Sequence, residues 1–529
     1  MPRRTLARLL GRAGRCVTLV MFVAVLSVSG WGGGGCTPPA GGGGPPAGER
    51  PRGEIREAVV GSVDSLLPWE SDDPAEELLR PLVFSALAGV TAQGEVFPDL
   101  AVGWVAGRQG RTWTVRLRPD VFWHDGQPVT ADDVTFTLQL LARMVEGGLA
   151  PSYSGRQLPE GIAWERVDIR TIRFSLPYAD ANFPYRLACI PILPARMLKA
   201  GPDSEAWRAF RHQPVGCGPF RLVGWEGERL LFEAHRRYHR GLPKVGRLCV
   251  YAYSDPVTAV AALRKGEVDV AQAAPAEAGS LQAEGFRLLE YHSPYYVALA
   301  FNCSRVPVEV RQALTCALDR RALVQAVGAG SQEALFPIST ASVWYPSDLH
   351  SEGVSGGSST EVLKGRNLRL FIPSGDPHRR QAADAMARAL AEAGVQVEVK
   401  EEELAGFAAR FLPPFDYDLA LVVEPFLVNP DLTPLFHSGQ IPTRPGQGGN
   451  VFLFRDADVD RWLNSFREEL DGARRKTLLG QVAEAVGEQV PLYPLWAGTA
   501  VFATSPDLSG PVPSPFAWHG NVHEWYWPD

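Results

Sequence analysis

Apolar and polar side chains alternate from Thr112 to Arg118, with Trp113, Val115 and Leu117 on one side and Thr114, Arg116 and Arg118 on the other. Period two predicts a half-buried strand, which Pro119 closes. Asp125-Gly126 supplies a tight turn, and Thr130 with Asp133 three residues on reads as a helix N-cap, so a helix is expected from about Ala131. The same reading gives an opening strand over Ile55–Val63, then a loop, SLLPWESDDPAEE, leading to a helix near Ala75. Residues 151–213 are loop-rich, with one strand over Val167–Phe174. In Ser254–Gln272, Val260 and Leu263 share a helical face, Gly266 stops the helix, and Val268 and Val270 begin a strand. Pro294–Val327 gives a buried strand and one amphipathic helix carrying Val310, Leu314 and Leu318. After a polar loop over Ser351–Thr360 comes a β-α-β unit. LRLFIPS is its first strand, residues 377–393 its helix with Ala383, Met386 and Leu390 on one face, Gly394 the cap, and VQVEV from Val395 the second strand. Asp416–Val423 is a further buried strand, and a last helix, Arg474–Gln489, leads into VPLYPLWAGTAVFA. Strands alternating with helices make this an α/β chain.

At 529 residues the chain is too long for one core, and two or three domains are expected. A basic start, an apolar run over Val17–Val28 and small residues up to Cys36 form a secretory signal peptide, residues 1–35, too short in its apolar part to stay as a membrane span. Without its five arginines the chain has 47 basic against 59 acidic residues, net −12, which argues against nucleic acid as partner. Cys36 follows four glycines and precedes a Pro/Gly tether to residue 53, an arrangement similar to a bacterial lipoprotein leader, in which the cysteine is lipid-modified. Cys189, Cys217, Cys249, Cys303 and Cys316 contain no C-x-x-C pair; one disulfide is possible, and its pairing stays open.

The wording from His124 to Phe136, HDGQPVTADDVTF, resembles the signature region of the family 5 solute-binding proteins of ABC importers, the dipeptide, oligopeptide and nickel binders. Leu82–Trp104, the block PVGCGPFRLVGW at Pro214–Trp225, Pro294–Val327 and the terminal return extend the resemblance. It implies a two-lobed fold of the class II periplasmic-binding-protein type, with an extra domain inserted in the first lobe. Residues 54–80, 214–293 and 490–529 would form lobe I, 81–213 the extra domain and 294–489 lobe II. It further implies capture of a small solute by hinge closure, with delivery to a membrane permease and its cytoplasmic ATPase, by a lipid-anchored extracytoplasmic monomer. An oligopeptide is the leading solute; a nickel chelate, a sugar, or a sensing role without transport are the alternatives.

Chemistry outside that reading is thin. Gly353-Val354-Ser355-Gly356-Gly357 fits G-x-S-x-G but lies in a flexible-looking loop, not on the strand-to-helix elbow a nucleophile needs. His235/His239 and His519/His523 are four apart with neither a nearby cysteine nor an H-E-x-x-H pattern, so solvated or hydrogen-bonded histidines, not a metal, are expected. No G-x-x-x-x-G-K-[ST] loop is present. Neither enzyme activity nor a cofactor is expected. By position in the family, Trp69, Tyr295, Tyr296, Glu424, Asn429, Asp431 and Trp496 are the ligand contacts the resemblance implies. Peptide-binding members hold the peptide amino terminus with an aspartate after a Gly-Trp pair. Here that pair reads Val422-Val423 and the aspartate falls at or near Phe426, so either Glu424 supplies the carboxylate for an ammonium from a shifted loop or the solute is not a free peptide.

Overall fold

The computed structural model describes residues 53–528 apart from positions 72, 147–157, 203, 228, 329, 347–359 and 445–446. The expected signal peptide, the tether with Cys36, and the G-x-S-x-G stretch lie outside the described residues. These residues form two units: one up to Tyr291 and again from Ala500, the other from His292 to Thr499.

In the first unit, strand β1 (Glu54–Val60) sends Ile55 and Val59 to one apolar cluster, with Leu79, Phe232 and Leu248, and Ala58 to another, with Val260, Leu263 and Ala271. A strand apolar on both faces is a central strand of a covered sheet. The helix Pro74–Val83 follows, its Ala75 N–H capped by Asp73 at 2.9 Å. After the short pair β2 (Ala88–Val90) and β3 (Val96–Pro98) come β4 (Ala101–Gly107) and β5 (Thr112–Leu117). The helix Ala131–Glu146 starts where Thr130 donates its backbone N–H to Asp133 Oδ2, 2.9 Å.

The single strand expected over Val167–Phe174 is instead a hairpin, β6 (Ala163–Asp168) and β7 (Thr171–Ser175). Asp168 accepts the Arg170 N–H at 2.7 Å, and that side-chain turn reverses the chain inside an otherwise apolar-alternating run. β4-β5-β7-β6 form a four-stranded antiparallel sheet whose inner face, Trp113, Val115, Leu117, Ile172 and Phe174, packs on the helix Ala131–Glu146 through Val134, Leu138 and Leu141. The loop-rich stretch also holds three short helices, Phe183–Ala188, Ala195–Leu198 and Glu205–His212.

β8 (Phe220–Glu226), β9 (Arg229–Ala234), β10 (Arg247–Tyr253), the helix Pro256–Arg264 and β11 (Val270–Ala273) complete the unit. Their order is β11-β1-β10-β9-β8, with β10 and β11 parallel to β1 on its two sides. Gly266, at φ +70°, ends the crossover helix in a conformation that only glycine adopts without strain. Glu57, fully buried on β1, accepts the Trp518 indole N–H and meets His519 Nε2, both at 2.8 Å, which anchors the 3-10 turn Trp518–Glu524.

The chain passes into the second unit inside β12 (Arg287–Phe301). One amphipathic helix is expected next; two form, Val308–Ala317 and Arg320–Val327. Asp319 accepts the Ala322 N–H at 3.1 Å and starts a new helix one residue after Leu318, so a local cap overrides the apolar spacing. β13 (Ser331–Glu333), β14 (Asn367–Pro373), the helix Pro377–Glu392, β15 (Gln396–Glu402), β16 (Leu419–Pro425) and β17 (Leu492–Thr504) follow. The sheet runs β15-β14-β16-β12-β17, with β13 paired to the outer side of β17. Two helices, Ala457–Glu468 and Gly472–Gln489, cover one face. β17 ends in the first unit, where Val501–Thr504 pairs antiparallel with β11.

Candidate functional site

β16 is buried along its length, and its side chains alternate between two clusters. Leu419 and Leu421 join Leu299, Leu370 and Met386; Ala420 and Val422 join Tyr296, Phe371 and Phe426 on the other face. Glu424 continues the second series by period two. The antiparallel register sets Glu424 directly opposite Tyr296 on β12, so the two side chains share one face. Phe426 extends the pairing through its N–H to the Pro294 carbonyl, 2.8 Å, and its ring lies 4.8 Å from that of Tyr296.

Tyr296 and Glu424 are 1% and 4% exposed. The Tyr296 hydroxyl has no hydrogen-bond partner among the described residues. Nor does the Glu424 carboxyl have a hydrogen bond or ion pair among them. Burial without compensation pushes that carboxyl up to about 8, and burial, then the nearby Glu424, raises the Tyr296 phenol. A polar pair in an apolar setting costs stability unless something else satisfies it.

The remaining expected contacts divide. Tyr295 faces Pro425 across the ladder, on the side away from Tyr296. Asn429 and Asp431 stand in the loop after β16 but serve it: Asn429 Oδ1 accepts the Asp431 N–H at 3.2 Å, and Asp431 Oδ1 accepts the Thr433 N–H at 3.0 Å. Arg467 Nε lies 3.8 Å from Asp431 Oδ2. The Thr433 hydroxyl, which sequence reading missed, is buried without a partner among the described residues. Trp496, opposite Glu333 on β13, packs in the cluster of Leu299 and Leu421 and so is not on the Glu424 face.

Trp69 belongs to the first unit. It takes φ +68°, a conformation that bulky side chains rarely adopt, and its indole N–H is buried without a partner among the described residues. Backbone strain and an unused donor coincide on one residue.

The histidine pairs do not converge. His235 Nδ1 donates to the Gly218 carbonyl at 3.1 Å, while His239 Nε2 meets Asp99 at 2.7 Å. His519 meets Glu57 and the Leu78 carbonyl, and the His523 ring packs on Tyr238. Among the described residues no cluster of three or more metal-ligating side chains occurs, no disulfide joins any of the five cysteines, and no helix is long and apolar enough to cross a membrane.

In the second unit, the unpartnered Tyr296 hydroxyl within an apolar cluster is the kind of polar group that a ligand satisfies. The family profile described as bacterial extracellular solute-binding proteins, family 5 Middle, matches residues 95–423. Oligopeptide-binding protein AppA of Bacillus subtilis (strain 168) is 26% identical over 504 residues, spanning 88% of this chain and 91% of that protein. Heme-binding protein A of Haemophilus influenzae is 26% identical over 469 residues, 80% of this chain and 83% of that one. The structure of HbpA2 from Haemophilus parasuis superposes with a TM-score of 0.81 at 22% identity, over 90% of this chain and all of that one. The chain belongs to the family 5 extracellular solute-binding proteins.

Proposed function

We propose that this chain is the extracytoplasmic solute-binding lipoprotein of an ABC importer, which captures an oligopeptide and hands it to a membrane permease powered by a cytoplasmic ATPase. Its curated relatives include an oligopeptide-binding protein that aligns along nine-tenths of its length. The observation that carries the reading to this chain's own residues is the buried Glu424 carboxyl on the strand position opposite Tyr296, whose hydroxyl has no partner among the described residues. A desolvated peptide ammonium needs a carboxylate, and this one is unused. Trp69, with its spare indole N–H, is a second contact, and Tyr295, Asn429, Asp431 and Trp496 act through the surrounding framework. Cys36 carries the lipid, and the working form is a monomer. Residues 54–80, 214–293 and 490–529 make lobe I with 81–213 as its extra domain, and 294–489 make lobe II. Family ancestry and the unit boundaries at 291 and 499 support that division.

Native mass spectrometry of the protein as purified, and again after unfolding and refolding, tests the reading. A set of short-peptide masses lost on refolding is expected. Glu424→Ala should weaken rebinding of those peptides by about 30-fold or more, the roughly 2 kcal/mol lower bound for truncating one partner of a buried charge pair. Unchanged binding would remove Glu424 from the site. A second reading, a non-peptide solute, draws on Val422, Val423 and Phe426, which make apolar the positions where peptide binders carry Gly-Trp and aspartate. A single non-peptide mass would establish it.

A further inference from the structure

Glu424 is a buried carboxyl with no ion pair among the described residues. A carboxylate at Glu424, 4% exposed and next after Ala420 and Val422 on one apolar strand face, would face a cost of desolvation with no counter-charge. The groups around it supply none. From β12 it faces Tyr296, whose hydroxyl is unpartnered. In the following loop Asp431 is turned to the Thr433 N–H and toward Arg467. Among the described residues no guanidinium, ammonium or imidazole acts on Glu424, and burial alone displaces its titration, to about 8. Burial without a counter-charge therefore favours the neutral acid at Glu424 and the neutral phenol at Tyr296.

We propose that Glu424 exchanges a proton for the solute's charge: it is a carboxylic acid in the empty protein and becomes a carboxylate only when a cationic group of the solute reaches it. The O–H bond breaks, the proton leaves to solvent, and the carboxylate stays paired with the incoming ammonium; no other bond changes. The inference rests on the solute-binding reading above and adds to it a substrate class, solutes with a compact cation, and a pH dependence. Capture below pH 8 then releases about one proton, and affinity rises about tenfold per pH unit in that range. An acidic medium would load the protein weakly and a neutral one strongly.

Dialanine, trialanine and pentaalanine, each with its N-acetyl counterpart that lacks the ammonium, provide the test with the refolded mature protein. Isothermal titration at pH 6, 7 and 8, in two buffers of different ionisation enthalpy, counts the protons. The expected result is release of about one proton at pH 6 on binding a free peptide, tightening of about tenfold per unit, and neither effect for the acetylated forms. Glu424→Gln should abolish both while preserving the fold, because the amide reproduces the shape of the neutral acid. Infrared difference spectra of empty wild type against Glu424→Gln at pH 6 give a ligand-free check: the carbonyl band of a protonated acid is expected. Its absence overturns the proposal. Tight binding with no proton release overturns it too, and leaves the solute-binding reading standing. Silence toward all six peptides overturns the peptide reading and this inference with it.

Discussion

At Glu424 the folded protein holds a proton that the unfolded chain gives up above pH 4.5. Its folded titration lies higher, at about 8, so this group's contribution is fully present below pH 4.5 and lost as pH rises through 8. Between those limits the unfolded state binds one proton fewer, and stability falls by about 1.4 kcal/mol per pH unit from this residue alone. Glu424→Gln removes the term. Denaturant midpoints of wild type and variant should diverge in favour of the variant from pH 5 to 8 and run parallel above that; parallel curves throughout would mean the carboxyl is already ionised. At this scale the sequence marked Glu424 and Tyr296 as separate candidates. Nothing in either residue's neighbours along the chain announces that they face one another.

At the scale of elements, close approach decides more than propensity. The segment Pro214–Trp225 passes the end of the helix Pro74–Val83 so tightly that a Cβ on Gly216 would lie 1.8 Å from the Val83 carbonyl oxygen. Gly218 N–H donates to that same oxygen at 2.8 Å, and Gly216 bonds to His124 from both its N–H and its carbonyl. Gly216→Ala must push two backbones apart, and a urea midpoint should report a loss above about 3 kcal/mol. A change below 1 kcal/mol would mean that the crossing is slack. The His124 imidazole, between the Gly216 N–H and the Gly218 carbonyl, is held far down, to about 3, by burial and by His235, so it serves this crossing as a neutral ring. Elements were legible where apolar period and caps agreed, as at Trp113–Leu117, Thr130–Asp133 and Gly394. They were misread where a single side chain broke an apolar run: Asp168 made a hairpin of one expected strand, and Asp319 made two helices of one. The helix Ala457–Glu468 went unnoticed, although Asp456 caps it through Asp458 and Val459 N–H at 2.9 Å each, because only Val459, Leu463 and Phe466 mark its buried face.

Over the whole molecule, the candidate anchor and the folded units are separate matters. No helix among the described residues is long and apolar enough to cross a membrane, and the proposed attachment is at Cys36. Cys36→Ala should move the protein from the membrane fraction to the soluble one in cell fractionation, with solute binding intact; unchanged fractionation would rule out the lipid. The sequence by itself determined the α/β alternation, the family and most strands and helices, because each is written in residues close together along the chain. Only the tertiary structure decided that β1 lies between β10 and β11, that Glu57 meets Trp518 and His519, and that Glu424 sits across from Tyr296 with no partner among the described residues. Burial and cross-strand pairing join segments hundreds of residues apart, and a carboxyl's charge follows from what surrounds it in space, which local pattern does not encode.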